Sequence, residues 1–334
     1  MGIIVGAVAL IFLVRLFYVL GRAKSNRERS SFDSREIYSL CKSKGMDVHD
    51  IHTVEYDSRA MAWVKDRLSE VNRSRENVSQ PRNALIANCI FDAWKRKEKA
   101  LVVYTVMNWG VMHGLPQFEE FLNSFTKGDP FSISDDDMEK IYNLETLSAE
   151  VGFFGRDKPI TSIPDAVFRL PKLERLYFGK GGYPEYFFVA LEGIPESIKE
   201  ARSLKYLHLQ YCGLEELPPH IFTPWLEELK IGGNNIKIIP NSIGCAKSLR
   251  MLTAWQNDLE YVSEEIGDLK NLKRLDLWMN PRLKLPNSIV KLGEMEDISI
   301  DEGLPSVTAE QRAWIMQNMY RGVSETETDE EMPL

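Results

Sequence analysis

One short group of residues has the types that bind a divalent cation. It consists of Asp47, His49, Asp50 and His52. Carboxylate and imidazole groups are ordinary metal ligands, but the spacing here matches no established metal motif. A solvated loop between two helices has the same composition. We therefore predict no metal site from these residues.

Two cysteines and one acidic run are the other candidates for chemistry. Cys41 and Cys89 could act as nucleophiles, yet most isolated cysteines are buried and inert. The acidic run at 135–137 follows Ser134, as is typical of a helix start. The chain has no phosphate-binding glycine loop and a net charge of −8, which argues against nucleic acid as a partner. We predict no catalytic residue, no cofactor and no enzymatic activity.

The C-terminal half carries a regular leucine pattern that must position whatever site the chain has. The pattern L-x-x-L-x-L starts at Leu204, Leu226, Leu249, Leu272 and Met295, at intervals of 22 or 23 residues. The copies that start at Leu204, Leu226 and Leu272 continue with Leu or Ile, Pro and a later Ile, whereas the copy that starts at Leu249 has Ser263 in place of proline. A fixed period of this length predicts a solenoid.

These repeats resemble the leucine-rich repeat family, in its short variety with L-P-x-x-I in the second half. The resemblance implies an α/β solenoid: a horseshoe with a parallel sheet on its concave face, which binds partners rather than performing catalysis. Two weaker copies near Leu144 and Leu173 bring the expected number of coils to seven. The asparagine after each strand (Asn234, Asn257 and Asn280) should bond the backbone of its turn and of the next coil.

Residues between the inward leucines should point outward in columns across the sheet. Two columns within the strands contain Arg175, Tyr206, Glu228, Met251, Arg274 and Asp297, and Tyr177, His208, Lys230, Thr253, Asp276 and Ser299. Two columns after the strands contain Gly179, Gln210, Gly232, Trp255 and Trp278, and Lys180, Tyr211, Gly233, Gln256 and Met279.

Exposed aromatic and methionine side chains are typical of interface hot spots. We expect Trp255 and Trp278 to stand side by side on exposed sheet, with a tyrosine group further along and a shallow gap over Gly232 and Gly233 between them. Burial of the tryptophans inside the protein is the alternative. The predicted partner-binding residues are Tyr177, Tyr206, His208, Tyr211, Lys230, Met251, Trp255, Arg274, Asp276, Trp278 and Met279.

Residues 3–20 are apolar apart from Arg15, and a segment of this length can cross a bilayer. A cleaved signal peptide is the main alternative, although the segment lacks a basic start. The flank that follows is basic, with Arg22, Lys24, Arg27 and Arg29. By the positive-inside rule, this flank and the rest of the chain should lie in the cytoplasm.

The predicted organisation has six parts. They are a transmembrane anchor at 1–21, a basic linker at 22–33, a helical domain at 34–142, leucine-rich repeats at 143–303, a capping helix at 304–322 and an acidic, disordered tail at 323–334.

The predicted function is that of a membrane-anchored adaptor or scaffold for a protein or peptide partner. One alternative is an enzyme or effector whose repeats select a substrate for the helical domain. Another is an extracytosolic receptor-like module, which sugars on the sequons at Asn72 and Asn77 would support.

Overall fold

The computed structural model describes residues 34–55, 57–74, 82–121, 133–149, 160–179, 189–301 and 303–319. The predicted anchor, linker and acidic tail lie outside these residues. The chain folds as two compact units, 1–104 with 126–138 and 105–125 with 139–334.

The first unit is helical. Its elements are α1 (Ser34–Ser43), α2 (Val48–Glu55), α3 (Ser58–Ser74), most of α4 (Arg82–Met112) and the start of α5 (Asp135–Tyr142). Its core is built from small and branched side chains, among them Ile37, Cys41, Ile51, Met61, Val64, Ile86, Ala87, Cys89 and Ile90.

Short polar side chains begin these helices as the sequence predicts. Asp57 accepts hydrogen bonds from the backbone N–H groups of Arg59 and Ala60 at the start of α3, at 3.0 and 3.1 Å. Ser134 Oγ accepts the N–H of Asp137 in α5. Such side chains stabilise a helix because its first N–H groups have no partner within the helix.

One interpretation of the helical region was wrong. The group that begins at Asp47 is no loop between helices, because α2 starts at Val48, and Asp47 and Asp50 each accept the other's backbone N–H at 2.8 Å. The basic run at 95–99 lies in the middle of α4. There Lys97 reaches Asp57, with 3.0 Å between Nζ and Oδ2.

The second unit contains a parallel sheet of seven strands, counted over the described residues. The strands are β1 (Thr146–Ala149), β2 (Arg175–Phe178), β3 (Tyr206–Leu209), β4 (Glu228–Lys230), β6 (Met251–Thr253), β8 (Arg274–Asp276) and β9 (Asp297–Ser299). They follow one another in sequence order, and β5 (Ile238–Ile239) pairs with β7 (Tyr261–Val262) in a separate sheet. The α/β solenoid with seven coils is therefore confirmed.

The leucines of each repeat form the solenoid core. Leu207, Leu229, Leu252 and Leu275 are register partners in neighbouring strands, and each is at most 1% exposed. Short 3-10 helices, such as Asn241–Cys245 and Asn287–Leu292, complete the coils. The leucine spacing thus fixes which face of every strand is buried.

Ser263 takes the place of proline in the repeat that starts at Leu249. Its hydroxyl accepts the N–H of Glu265 at 3.1 Å and so begins the 3-10 helix Glu264–Asp268. The same hydroxyl donates to Asn241 Oδ1 in the preceding coil at 2.7 Å. Serine thus replaces the conformational restriction of proline with two hydrogen bonds.

Three buried asparagines, Asn234, Asn257 and Asn280, join successive coils, and we call them the asparagine ladder. Asn280 is fully buried: its Nδ2 donates to the carbonyls of Ala254 and Leu277, and its Oδ1 accepts the N–H groups of Asn257 and Leu259. Asn234 and Asn257 make equivalent bonds in the coils before it. The bonds within each asparagine's own turn are as predicted. The bonds between coils run to the preceding coil and not, as predicted, to the next.

Both ends of the solenoid are covered from within the second unit. Trp109, in the last turns of α4, donates from Nε1 to the Ser162 carbonyl at 3.1 Å and packs on Phe178. At the other end lies α6 (Ala309–Met319), where Trp314 donates to the Gly293 carbonyl at 3.0 Å. Thr308 and Gln311 form a reciprocal cap at the start of α6, which lies within the predicted capping helix.

In the part of the chain that the structure describes, no helix combines the length and the apolar composition needed to cross a membrane.

The asparagine bonds predict a large effect on stability. Asn280→Ala should lower the free energy of unfolding by about 3 kcal/mol or more, because it leaves buried carbonyl and N–H groups of two coils without partners. Asn287→Ala is the matched control, since Asn287 is exposed, and it should change stability by about 0.5 kcal/mol or less. Urea unfolding measures both, and equal effects would contradict this role.

Candidate partner-binding surface

The predicted columns are present on the outward face of the seven-stranded sheet. Arg175, Tyr206, Glu228, Met251, Arg274 and Asp297 are successive register partners, and so are Tyr177, His208, Lys230, Thr253, Asp276 and Ser299. The seven predicted partner-binding residues within the strands therefore lie on one face of the sheet, and several of them contact one another. Tyr211 was predicted to be on the surface but is buried, at 9% exposed.

Trp255 differs most from the prediction. It is half-buried, and its ring makes an edge-on contact with Tyr211 at 5.5 Å between centroids. A Cβ added to Gly232 would lie 2.5 Å from Trp255 Nε1, and one added to Gly233 would lie 2.4 Å from the Tyr211 ring. The two rings therefore fill the expected gap over the glycines, and Trp255 is largely a packing residue.

The middle of the surface is a network of mutually satisfied charges. Glu228 Oε1 lies 2.6 Å from His208 Nε2 and 2.8 Å from Lys230 Nζ. The hydrogen bond with His208 is the main cause that lowers the pKa of Glu228 to about 2. The His208 ring also lies 4.4 Å from the Tyr177 ring. These groups neutralise one another and leave little charge free for a partner.

Tyr206 and Met251 line a shallow depression of about 400 Å³ at the start of strands β3 to β8. The Arg175 guanidinium lies over the Tyr206 ring at 4.8 Å. The charged groups around the depression are Glu227, Glu228, Arg250, Lys273, Arg274 and Glu296. Both signs of charge are present, which suits a polypeptide better than a polyanion.

Trp278 and Met279 are the exposed apolar residues of the surface. Trp278 is 51% exposed and Met279 42% exposed. Asp276 Oδ1 accepts the N–H of Trp278 at 3.1 Å, and Asp301 accepts the N–H groups of Met279 and Asn280 at 3.1 and 2.8 Å. Two carboxylates thus hold this exposed segment in one conformation.

Asp301 and Arg250 were missed by the sequence reasoning. Asp301 takes over the role of the ladder asparagines at the end of the solenoid, from a different position in its repeat, so that aligning repeats could not find it. Arg250 follows the first leucine of its repeat, and a column for that position would have found it. That column contains Glu174, Lys205, Glu227, Arg250, Lys273 and Glu296.

The three buried cysteines, Cys41, Cys89 and Cys212, lack the features of activated nucleophiles. Burial raises the pKa of the Cys41 and Cys89 thiols to about 11 and that of Cys212 to about 12. Activated cysteines have a lowered pKa. Over the described ranges, no three His, Cys, Asp or Glu side chains come together in a way that would hold a metal ion.

Comparison with known proteins agrees with the fold. The family model for the leucine rich repeat matches residues 202–259. No curated protein matches the sequence significantly.

Among solved structures, a leucine-rich repeat protein of Leptospira interrogans is 25% identical over 49% of this chain and 39% of its own, with a TM-score of 0.42. An internalin from Listeria monocytogenes is 16% identical over 50% of this chain and 51% of its own, with a TM-score of 0.35.

A third neighbour is the ectodomain of the receptor kinase GASSHO1/SCHENGEN3 from Arabidopsis thaliana, solved in complex with CASPARIAN STRIP INTEGRITY FACTOR 2. It is 21% identical over 49% of this chain and 18% of its own, with a TM-score of 0.35. The matched part of this chain thus spans about half or less of each neighbour.

The packing of Trp255 over Gly232 predicts a coupling between the two residues. Gly232→Ala should destabilise the protein by roughly 1–3 kcal/mol, because the new methyl group forces the indole to move. The same change in a Trp255→Ala background should cost much less. Gly193→Ala is the control, since a Cβ there meets open space. Urea unfolding of the four variants measures the coupling, and equal costs in both backgrounds would contradict the contact.

Proposed function

We propose that this leucine-rich repeat protein holds a protein or peptide partner on the outward face of its seven-stranded sheet, as an adaptor or scaffold without catalytic activity. The observation that carries the proposal is the exposure of Trp278 and Met279, two large apolar side chains next to each other on a rigid surface. Tryptophan is enriched among residues that contribute most of the binding energy at interfaces.

The surface is ready to bind without rearrangement. Asp276 and Asp301 fix the backbone at 278–280 before any partner arrives. A pre-ordered segment loses less conformational entropy on association, so that more of the contact energy is retained as affinity. The contact between the Tyr211 and Trp255 rings restricts the conformation of the neighbouring surface as well.

We further propose that residues 1–21 anchor the protein in a membrane, with the following domains in the cytoplasm. The proposal is supported by the apolar composition of residues 3–20 and by the basic residues that follow them. An anchor of this kind would keep the bound partner close to the membrane.

Changing the exposed tryptophan tests the binding surface. Trp278→Ala should reduce the proximity labelling of the partner in cells by about ten-fold or more, because it removes the largest exposed apolar contact. Tyr261→Ala is the control: Tyr261 is 42% exposed but lies in the separate two-stranded sheet. Unchanged labelling with Trp278→Ala, or an equal loss with both variants, would argue against this surface.

Removal of the N-terminal segment tests the anchor. Without residues 1–24 the protein should move from the alkali-resistant membrane fraction to the soluble fraction in cell fractionation. Removal of 323–334 should leave the distribution unchanged. A truncated protein that stays in the membrane fraction would contradict the proposal that residues 1–21 are the anchor.

A further inference from the structure

The exposed apolar residues lie among three carboxylates. Asp276 belongs to β8, Asp297 to the neighbouring strand β9, and Asp301 follows β9 by two residues. We call these three, together with Trp278 and Met279, the Trp278 patch. The backbone bonds from Asp276 and Asp301 to residues 278–280 bring these two carboxylates and the indole together on a single rigid segment. Asp297 is close enough to Asp276 to repel its charge.

Two carboxylates of the Trp278 patch accept backbone N–H groups, but none of the three has a cationic partner among the described residues. Among the described residues, no Lys, Arg or His nitrogen lies within ion-pair distance of these three carboxylates. The pKa of Asp276 is raised, mainly by burial and further by repulsion from Asp297 and Asp301. A cation at this place would therefore relieve an existing repulsion.

The nearest basic residues have partners elsewhere. Arg274 is the register partner of Asp297, but its Nε lies 3.6 Å from the carboxylate of Glu296. Lys230 is separated from Asp276 by the intervening strand and lies 2.8 Å from Glu228. The patch is thus the acidic end of a surface whose other charges are paired or mixed.

We infer that the Trp278 patch receives a basic side chain, lysine or arginine, from the protein or peptide partner. The cationic group would lie against the Trp278 indole beside Asp276 and Asp301. Asp297 would add attraction from the other side of Asp276, and an apolar neighbour of the partner would lie on Met279. An aromatic ring attracts a cation through its quadrupole, and the negative carboxylates attract the same cation by its charge. This inference rests on the proposed function and assigns the chemistry of the partner.

Other occupants fit less well. An anionic partner, such as an acidic peptide or a nucleic acid, would be repelled. The chain's own residues 324–331 carry five acidic and no basic side chains. The described acidic side chains form no group that would hold a metal ion. The negative charge and the two exposed apolar side chains therefore favour a basic residue followed or preceded by an apolar one.

A random dodecapeptide library displayed on phage, selected against the full-length chain in detergent, tests the inference. The selected peptides should share a Lys or Arg beside an apolar residue. Binding of the most enriched peptide should weaken about ten-fold or more with Trp278→Ala and with Asp297→Asn. Asp297 is exposed, so that its isosteric substitution leaves the core unchanged.

Matched controls separate charge from folding. Glu215→Gln removes one exposed carboxylate from a different part of the solenoid and should leave peptide binding unchanged. Asp297→Lys should abolish binding of the basic peptide and restore it when the peptide's Lys or Arg is replaced by Glu. That exchange of charge identifies the pair directly.

Each other outcome is decisive. Selected peptides that need Trp278 but share no basic residue would overturn this inference and leave the proposed function standing. Peptides that bind Trp278→Ala as well as the wild type would contradict both. A library without a binder would also overturn the inference. If the chain self-associates and Asp297→Asn abolishes the dimer, the patch belongs to a second copy of the chain instead.

Discussion

The hydrogen bonds of the buried asparagines are the constraint on which the rest of the solenoid depends. Each asparagine satisfies carbonyl and N–H groups of two successive coils that would otherwise be buried without partners. To do so, the backbone must turn sharply after each strand. The residue before the ladder position accordingly has a positive φ, as at Tyr211 (55°), Gly233 (69°), Gln256 (49°) and Met279 (59°).

That turn decides what the surface presents. An ordinary side chain is disfavoured at positive φ, where glycine is the usual residue, and only a surrounding structure that fixes the turn can keep it there. Gly233 follows the usual rule and leaves room for the Tyr211 ring. Met279 does not, and Asp301 holds its N–H at the last turn of the ladder. The end of the ladder is thus also the place where a large apolar side chain is held exposed.

The sequence predicts the solenoid well because its constraint is periodic. Inward leucines at fixed spacing determine the strand register, so that the columns through Tyr206 and His208 could be written down in advance. The same reasoning failed where contacts depend on ring size and direction. The aligned columns predicted a gap over Gly232, but the Trp255 ring fills it. A column identifies which residues are neighbours and gives no information on the orientation of their side chains.

Features that do not repeat along the chain were harder to predict from the sequence. The role of Asp301 depends on how the ladder ends, and no repeat provides a template for an end. In the helical unit, the carboxylates of Asp47 and Asp50 satisfy helix N–H groups, a use that residue type alone cannot distinguish from metal binding. The basic run at 95–99 continues a helix because charged residues with long side chains are good helix formers.

We propose that the partner lies against the exposed end of the sheet, at Trp278 and Met279. Site-specific photo-crosslinking in cells would test this, with a benzophenone amino acid placed at position 279 in one variant and at 238 in another. Ile238 is 52% exposed and belongs to the separate two-stranded sheet. We expect a discrete crosslinked protein from position 279 and none from 238. Crosslinks from 238 alone, or the same proteins from both positions, would show that the partner does not lie at Trp278 and Met279.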